Sequence, residues 1–247
     1  MAIEVTYLSE RGPSVVLVHG SLNDGSVAYQ SQAPLAERWR LVIPNRRGYG
    51  KNPPIERVDV DADARDVVEL LGAGAHLVGT SMGGIVAGRA ASLAPDRVLS
   101  LTLIEPPAFR NAHEVPAVVE TAAALRRHWE IADKTDVGGF IQGFLAALGI
   151  QIPLPSPLPP HVLTAARNLM TEEPWQMSIP TASIDRAPYR KAVVSGTSCA
   201  ALEAICDRLG AQTHAVRRVF PNAGHAVQRI GGPFNDFLEA FLVDTIR

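Results

Sequence analysis

The sequence is poor in cysteine: its 247 residues include only Cys199 and Cys206. The two lie seven positions apart on a segment with a helical pattern. A disulfide between them is therefore not expected, and a reducing compartment is the simpler interpretation. Neither belongs to a CxxC pair, and no cysteine–histidine cluster has the spacing of a metal site. The sequence thus predicts neither a disulfide framework nor a metal centre.

Charge of one sign is also lacking, since the formal net charge is −2 and the isoelectric point is near 6.4. This balance gives no electrostatic reason to expect nucleic acid or an anionic membrane as a partner. Hydrophobic residues make up 47% of the chain and charged residues 19%, so the chain can bury a sizeable core. Its length fits one large domain, or one domain with an insertion.

Long hydrophobic runs are absent as well. The longest, from Val137 to Ile150, is interrupted by glycines and Gln142 and is too short to span a bilayer. The segment after Met1 has no basic start followed by an apolar stretch, so no signal peptide is visible. We therefore expect a soluble cytoplasmic protein, either a monomer or a homodimer.

Short apolar runs alternate with helical patterns through the first hundred residues, which is typical of βαβ units and a mostly parallel sheet. The predicted strands are 3–8, 15–18, 41–43, 76–78 and 98–104, with helices over 59–71 and 82–93. Strand patterns then disappear from Pro106 to about Pro188, where helical segments and the proline-rich run 153–160 predict a helical insertion with a stiff connector. After it, strands are predicted at 192–194 and 215–219, and helices at 200–209 and from 234.

Residues 79–83 read Gly-Thr-Ser-Met-Gly, a G-x-S-x-G motif between a predicted buried strand and a predicted helix. This is the setting of a nucleophile elbow, in which a sharp turn presents the serine hydroxyl above the sheet. A serine that merely caps a helix is the alternative. The context favours Ser81 as a nucleophile.

Val18-His19-Gly20-Ser21 ends an earlier predicted strand and suits the loop that completes an oxyanion hole. The predicted donors are the backbone N–H groups of Ser21 and Met82, which would stabilise charge that develops only in the transition state. An ordinary turn is the alternative for Ser21, and His19 is expected to be structural.

His225 follows the last predicted strand, within Asn222-Ala223-Gly224-His225. A loop there would bring the imidazole over the strand ends, where sheets of this class place their sites. His225 is therefore the predicted general base for Ser81. The histidines at 76, 113, 128, 161 and 214 lack such a context and are expected to be core or surface residues.

These motifs, together with Arg46-Arg47-Gly48-Tyr49-Gly50 and Pro95-Asp96-Arg97-Val98, make nearly the whole chain resemble the α/β-hydrolase superfamily, in its esterase and lactonase branch. The resemblance implies a triad in the order serine, acid, histidine, and a helical lid after the family's sixth strand. It assigns residues 1–106 and 189–247 to the core domain and 107–188 to the lid. The chain departs from the family in having one strand in place of the first hairpin, and Asn45 where an aspartate is usual.

The triad acid is the most serious departure from the family pattern. In most members it follows the seventh strand, but here residues 195–200 after strand 192–194 contain no carboxylate. Glu203 and Asp207 come next, in a predicted helix where we expect them to face solvent. Glu105 ends the strand 98–104, and a subset of the superfamily is similar in carrying its acid there. Glu105 is the predicted acid; the alternatives are that it points to solvent, or that the site is a Ser81–His225 dyad.

The sequence therefore predicts a serine hydrolase that cleaves a carboxylic ester or lactone without a metal or organic cofactor. Apolar residues of the insertion indicate either a hydrophobic substrate or the insertion's own core: Phe140, Ile141, Phe144, Leu145 and Leu148. Two alternatives stay open, a ligand-binding protein of this fold that has lost turnover, and a perhydrolase or carbon–carbon hydrolase with the same triad.

Overall fold

A computed structural model describes residues 3–150 and 152–244. In this part of the chain, the strands are β1 (Val5–Leu8), β2 (Ser14–Val18), β3 (Arg40–Pro44), β4 (Ala75–Thr80), β5 (Val98–Ile104), β6 (Arg190–Ser195) and β7 (Val216–Val219). The α-helices are α1 (Gly25–Ala28), α2 (Val60–Leu70), α3 (Met82–Leu93), α4 (Pro116–Ile131), α5 (Val137–Ala147), α6 (Pro160–Leu169), α7 (Thr181–Arg186), α8 (Ala200–Thr213) and α9 (Gly232–Val243). Short 3₁₀ helices cover Gln30–Glu37, Pro95–Arg97, Phe109–Ala112, Pro174–Gln176 and Val227–Ile230.

The strands form one sheet in the order β1-β3-β2-β4-β5-β6-β7. Of the described strands, only β1 is antiparallel to its neighbour β3, and the other pairs are parallel. Parallel strands need crossover connections, and helices supply them. The predicted α/β fold, a mostly parallel sheet flanked by helices, is confirmed.

Helices cover both faces of the sheet, and β2 shows how. Val16 and Val18 pack into the core on the side of α2, α3 and α8, whereas Val15 and Leu17 pack on the side of α9. Because successive side chains of a strand point to opposite faces, a strand buried on both sides must be apolar throughout. This explains the continuous run of valines and leucine in β2.

Two helix boundaries differ from those predicted. Helix α8 continues through Gly210 to Thr213 and ends where His214 adopts a left-handed conformation, with φ at 50°. Gly210 is buried inside the helix and does not end it. Helix α9 begins at Gly232, before the predicted start at 234, because Pro233 lies in its first turn, where a proline is well tolerated.

The segment between β5 and β6 carries α4 to α7, and among its described residues, 107–150 and 152–188, there is no strand. The proline-rich run has no helix or strand among its described residues before Pro160 opens α6, and the chain bends at residues 156–157. No helix in the described ranges is long and apolar enough to cross a membrane.

The start of α3 packs directly on the end of β2, and Gly83 makes this approach possible. A Cβ atom added at Gly83 would lie 2.2 Å from the carbonyl oxygen of Val18 and 2.4 Å from that of His19. Backbone atoms of a central strand cannot move aside cheaply, so a larger residue is excluded here.

We predict that Gly83→Ala lowers the free energy of unfolding by about 3 kcal/mol because of this clash. Gly210→Ala is the matched control, since its Cβ would meet only Arg217 Cδ, at 3.7 Å. There, the better helix propensity of alanine is expected to raise stability by up to about 1 kcal/mol. Urea denaturation measures both. If both alanines shift the midpoint upward, the close approach at Gly83 is refuted.

His76 is a residue of β4. Its Nδ1 is 2.8 Å from Ser100 Oγ, and its ring contacts the ring of Trp39 edge-on. The side chain is fully buried, and burial lowers the pKa of His76 to about 4. An unfolded chain would bind a proton at His76 near pH 6.5, whereas the folded protein would not.

We therefore predict that His76 makes the protein less stable as the pH falls from 7 to 5, because only the unfolded state gains the proton. The contribution is about 2 kcal/mol over this interval. Urea denaturation of the wild type and His76→Gln at both pH values measures it, and the variant should lose correspondingly less stability. His113→Gln is the control, since His113 is exposed. Equal losses in the wild type and His76→Gln would contradict the prediction.

Candidate active site

Ser81 lies at the turn between β4 and α3, with φ at 53° and ψ at −127°. This is a strained conformation for a residue with a side chain, and it is characteristic of an elbow that exposes a nucleophile. The Ser81 N–H donates to the carbonyl of Ile104 at 2.8 Å, which ties the turn to β5. On both sides the motif glycines permit close packing, since a Cβ at Gly79 would lie 2.3 Å from the carbonyl oxygen of Gly83.

Ser21 and Met82 flank Ser81 in the same cavity. Met82 is the first residue of α3, where backbone N–H groups have no acceptor within the helix. Among residues 3–150 and 152–244, no protein acceptor is found for the backbone N–H of either Ser21 or Met82. Both N–H groups are therefore free to bind an external oxygen atom.

His225 and Glu105 are brought together from positions 120 residues apart, with His225 Nδ1 at 2.7 Å from Glu105 Oε2. Glu105 follows the last residue of β5, and its φ of 40° turns the chain away from the sheet. His225 lies in the loop after β7, and its side chain is 29% exposed. The contact fixes the ring orientation so that Nδ1 donates its proton to the carboxylate and Nε2 remains available.

Glu105 does not point to solvent, because its side chain is completely buried. Besides His225, it accepts hydrogen bonds from the Gly196 N–H at 2.8 Å and from Ser198 Oγ at 2.5 Å. Burial alone would raise the pKa of Glu105, but the bonds from His225, Ser198 and Gly196 outweigh it and hold the pKa below its usual value. Glu105 is therefore ionised at neutral pH.

The other two candidate acids point away from His225. Glu203 accepts from Ser195 Oγ, the Thr197 N–H and Arg217, while Asp207 pairs with the same arginine. The expectation that both face solvent is right for Asp207, whose side chain is 70% exposed, and wrong for Glu203, at 25%. Glu203 is partly buried because its carboxylate accepts hydrogen bonds both from the loop after β6 and from Arg217.

Ser81 and His225 line one small cavity, although no hydrogen bond joins these two described side chains. In ligand-free active sites such contacts are often long and shorten when substrate binds. With a volume of about 20 Å³, the cavity holds no more than roughly two water molecules. A larger cleft of about 700 Å³ beside α4 and Trp175 contains none of Ser81, Glu105 and His225.

Most of the cavity wall is apolar, and the insertion supplies most of these apolar residues: Pro107, Phe109, Phe144, Leu148, Leu169 and Pro174. Of the apolar residues singled out in the sequence, Phe144 and Leu148 reach the cavity. Phe140, Ile141 and Leu145 belong to the hydrophobic core, and Leu148 is a core residue as well as a cavity residue. Both interpretations of this run therefore hold, and they overlap at Leu148.

Two features of the site escaped the sequence analysis. The first is the pair of hydrogen-bond donors to Glu105, the Gly196 N–H and the Ser198 hydroxyl. The sequence contains a signal for this pair, because the loop after β6 has no carboxylate and instead offers N–H and hydroxyl groups. The second is Glu172, a buried carboxylate in the cavity wall. Nothing in its neighbourhood, Thr171-Glu172-Glu173-Pro174, distinguishes it from a surface residue.

Known proteins resemble this chain in sequence and structure. A family model described as alpha/beta hydrolase fold matches residues 13–149. The pimeloyl-(acyl-carrier protein) methyl ester esterase of Aeromonas hydrophila is 32% identical over 117 residues, which cover 46% of this chain and 46% of that protein. The match thus spans about half of the relative's length, so its activity does not transfer directly.

Two solved structures share the fold at low identity. An alpha/beta hydrolase from Sphaerobacter thermophilus aligns with a TM-score of 0.71 and 22% identity, over 97% of this chain and 95% of the other. The N-acyl homoserine lactonase AidH aligns with a TM-score of 0.69 and 20% identity, over 98% and 92%. Because the family model matches more than half of the sequence and the sheet agrees with it, the chain belongs to the α/β-hydrolase family.

Proposed function

We propose that the protein is a serine hydrolase that cleaves a carboxylic ester or lactone through an acyl-enzyme on Ser81. One observation carries the proposal above all: the buried, ionised Glu105 is hydrogen-bonded to His225 Nδ1, and His225 shares a cavity with Ser81. A serine hydroxyl is a weak nucleophile by itself, and an imidazole oriented by a carboxylate activates it.

In the acylation step, His225 Nε2 takes the proton of Ser81 Oγ as the oxygen attacks the substrate carbonyl. The resulting oxyanion is bound by the N–H groups of Ser21 and Met82. The protonated imidazole is stabilised by Glu105, which keeps its own charge and does not take the proton. His225 then donates the proton to the leaving alkoxide, and the C–O bond breaks.

In the deacylation step, His225 Nε2 removes a proton from water, and the hydroxide attacks the acyl carbonyl. The same two N–H groups bind the second oxyanion. Its collapse releases the carboxylic acid, and the proton returns from His225 to Ser81 Oγ. The residues of this chain supply every proton transfer, so the reaction requires no cofactor.

An ester or lactone is favoured as substrate because the relatives with assigned activities include a methyl ester esterase and an acyl homoserine lactonase. A haloalkane or epoxide would call for a carboxylate at the elbow, where this chain has Ser81. The apolar wall, including Phe144 and Leu148, fits a hydrophobic acyl or alkyl group.

We further propose that residues 107–188 act as a lid on a core formed by 1–106 and 189–247. The insertion supplies most of the apolar wall over Ser81, and the enclosed space beside Ser81 is about 20 Å³. Movement of the insertion away from the sheet would enlarge this space for a substrate.

The rival hypothesis of a binding protein without turnover is based on the missing acid after the strand 192–194. The contact of Glu105 Oε2 with His225 Nδ1 supports an alternative source for the acid, and this favours the enzyme over the binding protein.

We predict that a fluorophosphonate probe labels Ser81 and that p-nitrophenyl acetate gives a burst of p-nitrophenol, because His225 activates the hydroxyl. Mass spectrometry of the digest locates the label, and Ser81→Ala should abolish both signals. Ser92→Ala is the control and should behave as wild type, because the partner of the Ser92 hydroxyl within the described residues is Ser183. Wild-type protein with neither label nor burst would favour the binding protein.

We predict that Glu105→Gln lowers kcat by about 10⁴, because glutamine neither favours the tautomer with a proton on Nδ1 nor stabilises the imidazolium. Steady-state kinetics with p-nitrophenyl acetate measures this. Glu203→Gln and Asp207→Asn are the matched controls and should stay within a few-fold of wild type. The assignment of Glu105 is wrong if its variant is nearly unaffected while either control loses activity.

A further inference from the structure

Ser21 is held in place through two of its three polar groups. Its hydroxyl is 2.6 Å from Glu172 Oε2, and its carbonyl oxygen accepts from Tyr49 Oη at 3.0 Å. Its backbone N–H is the third group and has no acceptor among the described residues. The contacts leave one group of Ser21 free, and it is the group that the proposed mechanism uses.

Glu172 reaches Ser21 from a distant part of the sequence, 151 residues away. It lies in the insertion, between α6 and the 3₁₀ helix Pro174–Gln176, and is only 2% exposed. It also lines the cavity that contains Ser81 and His225. The Glu172 carboxyl thus joins the insertion to the proposed oxyanion loop by a hydrogen bond, beside the apolar packing of Leu22 against the insertion.

Arg46 completes the surroundings of Glu172, and it serves two carboxylates at once. Its Nε is 2.9 Å from Asp63 Oδ2, while its Nη2 is 3.4 Å from Glu172 Oε1. One guanidinium compensates two buried acids incompletely, and burial raises the pKa of Glu172 although Arg46 and Ser21 oppose the shift. Either protonation state of Glu172 can hold the Ser21 hydroxyl, since an ionised carboxylate accepts from it and a neutral carboxyl can also donate to it.

A buried carboxyl with a single shared cation is costly to maintain. If its purpose were only to attach the insertion to the core, other contacts already do so without this cost. The Val58 N–H donates to Thr171 Oγ1 at 3.0 Å, and Arg57 pairs with the exposed Glu173 at 3.4 Å. Glu172 differs from these neighbours in binding the side chain of Ser21.

We propose that Glu172 is a positioning residue for the oxyanion hole. By binding the Ser21 hydroxyl, it directs the Ser21 N–H at the substrate carbonyl oxygen, so the hole is complete only when the insertion is closed over Ser81. This inference rests on the proposed function, because it assumes that the Ser21 N–H binds the oxyanion. It couples lid closure to catalysis through one hydrogen bond.

The test compares Ser21→Ala, Glu172→Leu and Glu172→Gln in the full chain, with p-nitrophenyl acetate as substrate. Ser21→Ala keeps the backbone N–H and removes only the hydroxyl that is hydrogen-bonded to Glu172. We expect Ser21→Ala and Glu172→Leu each to lower kcat about tenfold with little change in KM, a smaller loss than deleting an oxyanion donor. Glu172→Gln retains an acceptor for the hydroxyl and should stay within about threefold of wild type.

The double variant Ser21→Ala/Glu172→Leu should lose no more kcat than either single variant, because the two residues act through the same bond. Affinity for an alkyl trifluoromethyl ketone, which forms a tetrahedral adduct with serine, should fall by the same factor as kcat. A purely structural role would change the thermal midpoint and leave this affinity unchanged. If Glu172→Leu does not fold, Ser21→Ala alone still decides the matter.

Thr171→Val and Glu173→Gln are the controls, since they remove the neighbouring attachments of the insertion. They should alter stability at most and leave kcat unchanged. A wild type that turns over ester while Ser21→Ala and Glu172→Leu keep full kcat would overturn the positioning role and leave the proposed function intact. A wild type with no turnover and no label on Ser81 would instead refute the proposed function, and the inference with it.

Discussion

The hydrogen bond between Glu105 and His225 is the interaction on which the rest of the site depends. A carboxylate without solvent contact is stable only when donors replace its lost hydration, and Glu105 has three: His225, Ser198 and the Gly196 N–H. The order of the sheet supplies them. Because β5, β6 and β7 are parallel neighbours, the turns after them meet at one edge, and each contributes one part of the network. The geometry of the proposed acid–base pair is thus a consequence of strand order.

Local constraints made part of this site predictable from the sequence. The elbow at Ser81 requires a strand, two glycines that allow close backbone approach, and a helix, all within a few residues, so its signature is contiguous. The position of His225 after the last strand is also a local signal. The identity of the acid has no such local signal, because it depends on the directions of side chains from remote segments of the sequence. Glu203 and Asp207 are kept from His225 by Arg217, which approaches from β7, and this pairing has no local signature.

The structure of the insertion, like the choice of acid, could be predicted from the sequence only in part. Its helical character and approximate extent follow from the missing strand patterns, but the run from Phe140 to Leu148 is apolar on several faces of α5. Apolar faces of a helix are ordinarily buried, and the sequence does not say against what. Packing decides it, with Phe144 and Leu148 directed at the cavity and Ile141 and Leu145 at other parts of the insertion. Glu172 was missed for the opposite reason, since a glutamate in a polar stretch is ordinarily a surface residue.

Asn45 shows how a departure from a family pattern can be compensated at long range. Its Oδ1 accepts from the Gly25 N–H at 2.7 Å, and its Nδ2 donates to Glu4 Oε2 at 2.7 Å. An aspartate could serve Gly25 equally well, but it would place a second carboxylate against Glu4, and like charges at that distance repel. Glu4 also accepts from the Lys51 N–H, so its carboxylate holds both ends of the loop that carries Arg46. The amide at position 45 thus follows from the acid at position 4, and it keeps in register the loop whose arginine faces Glu172.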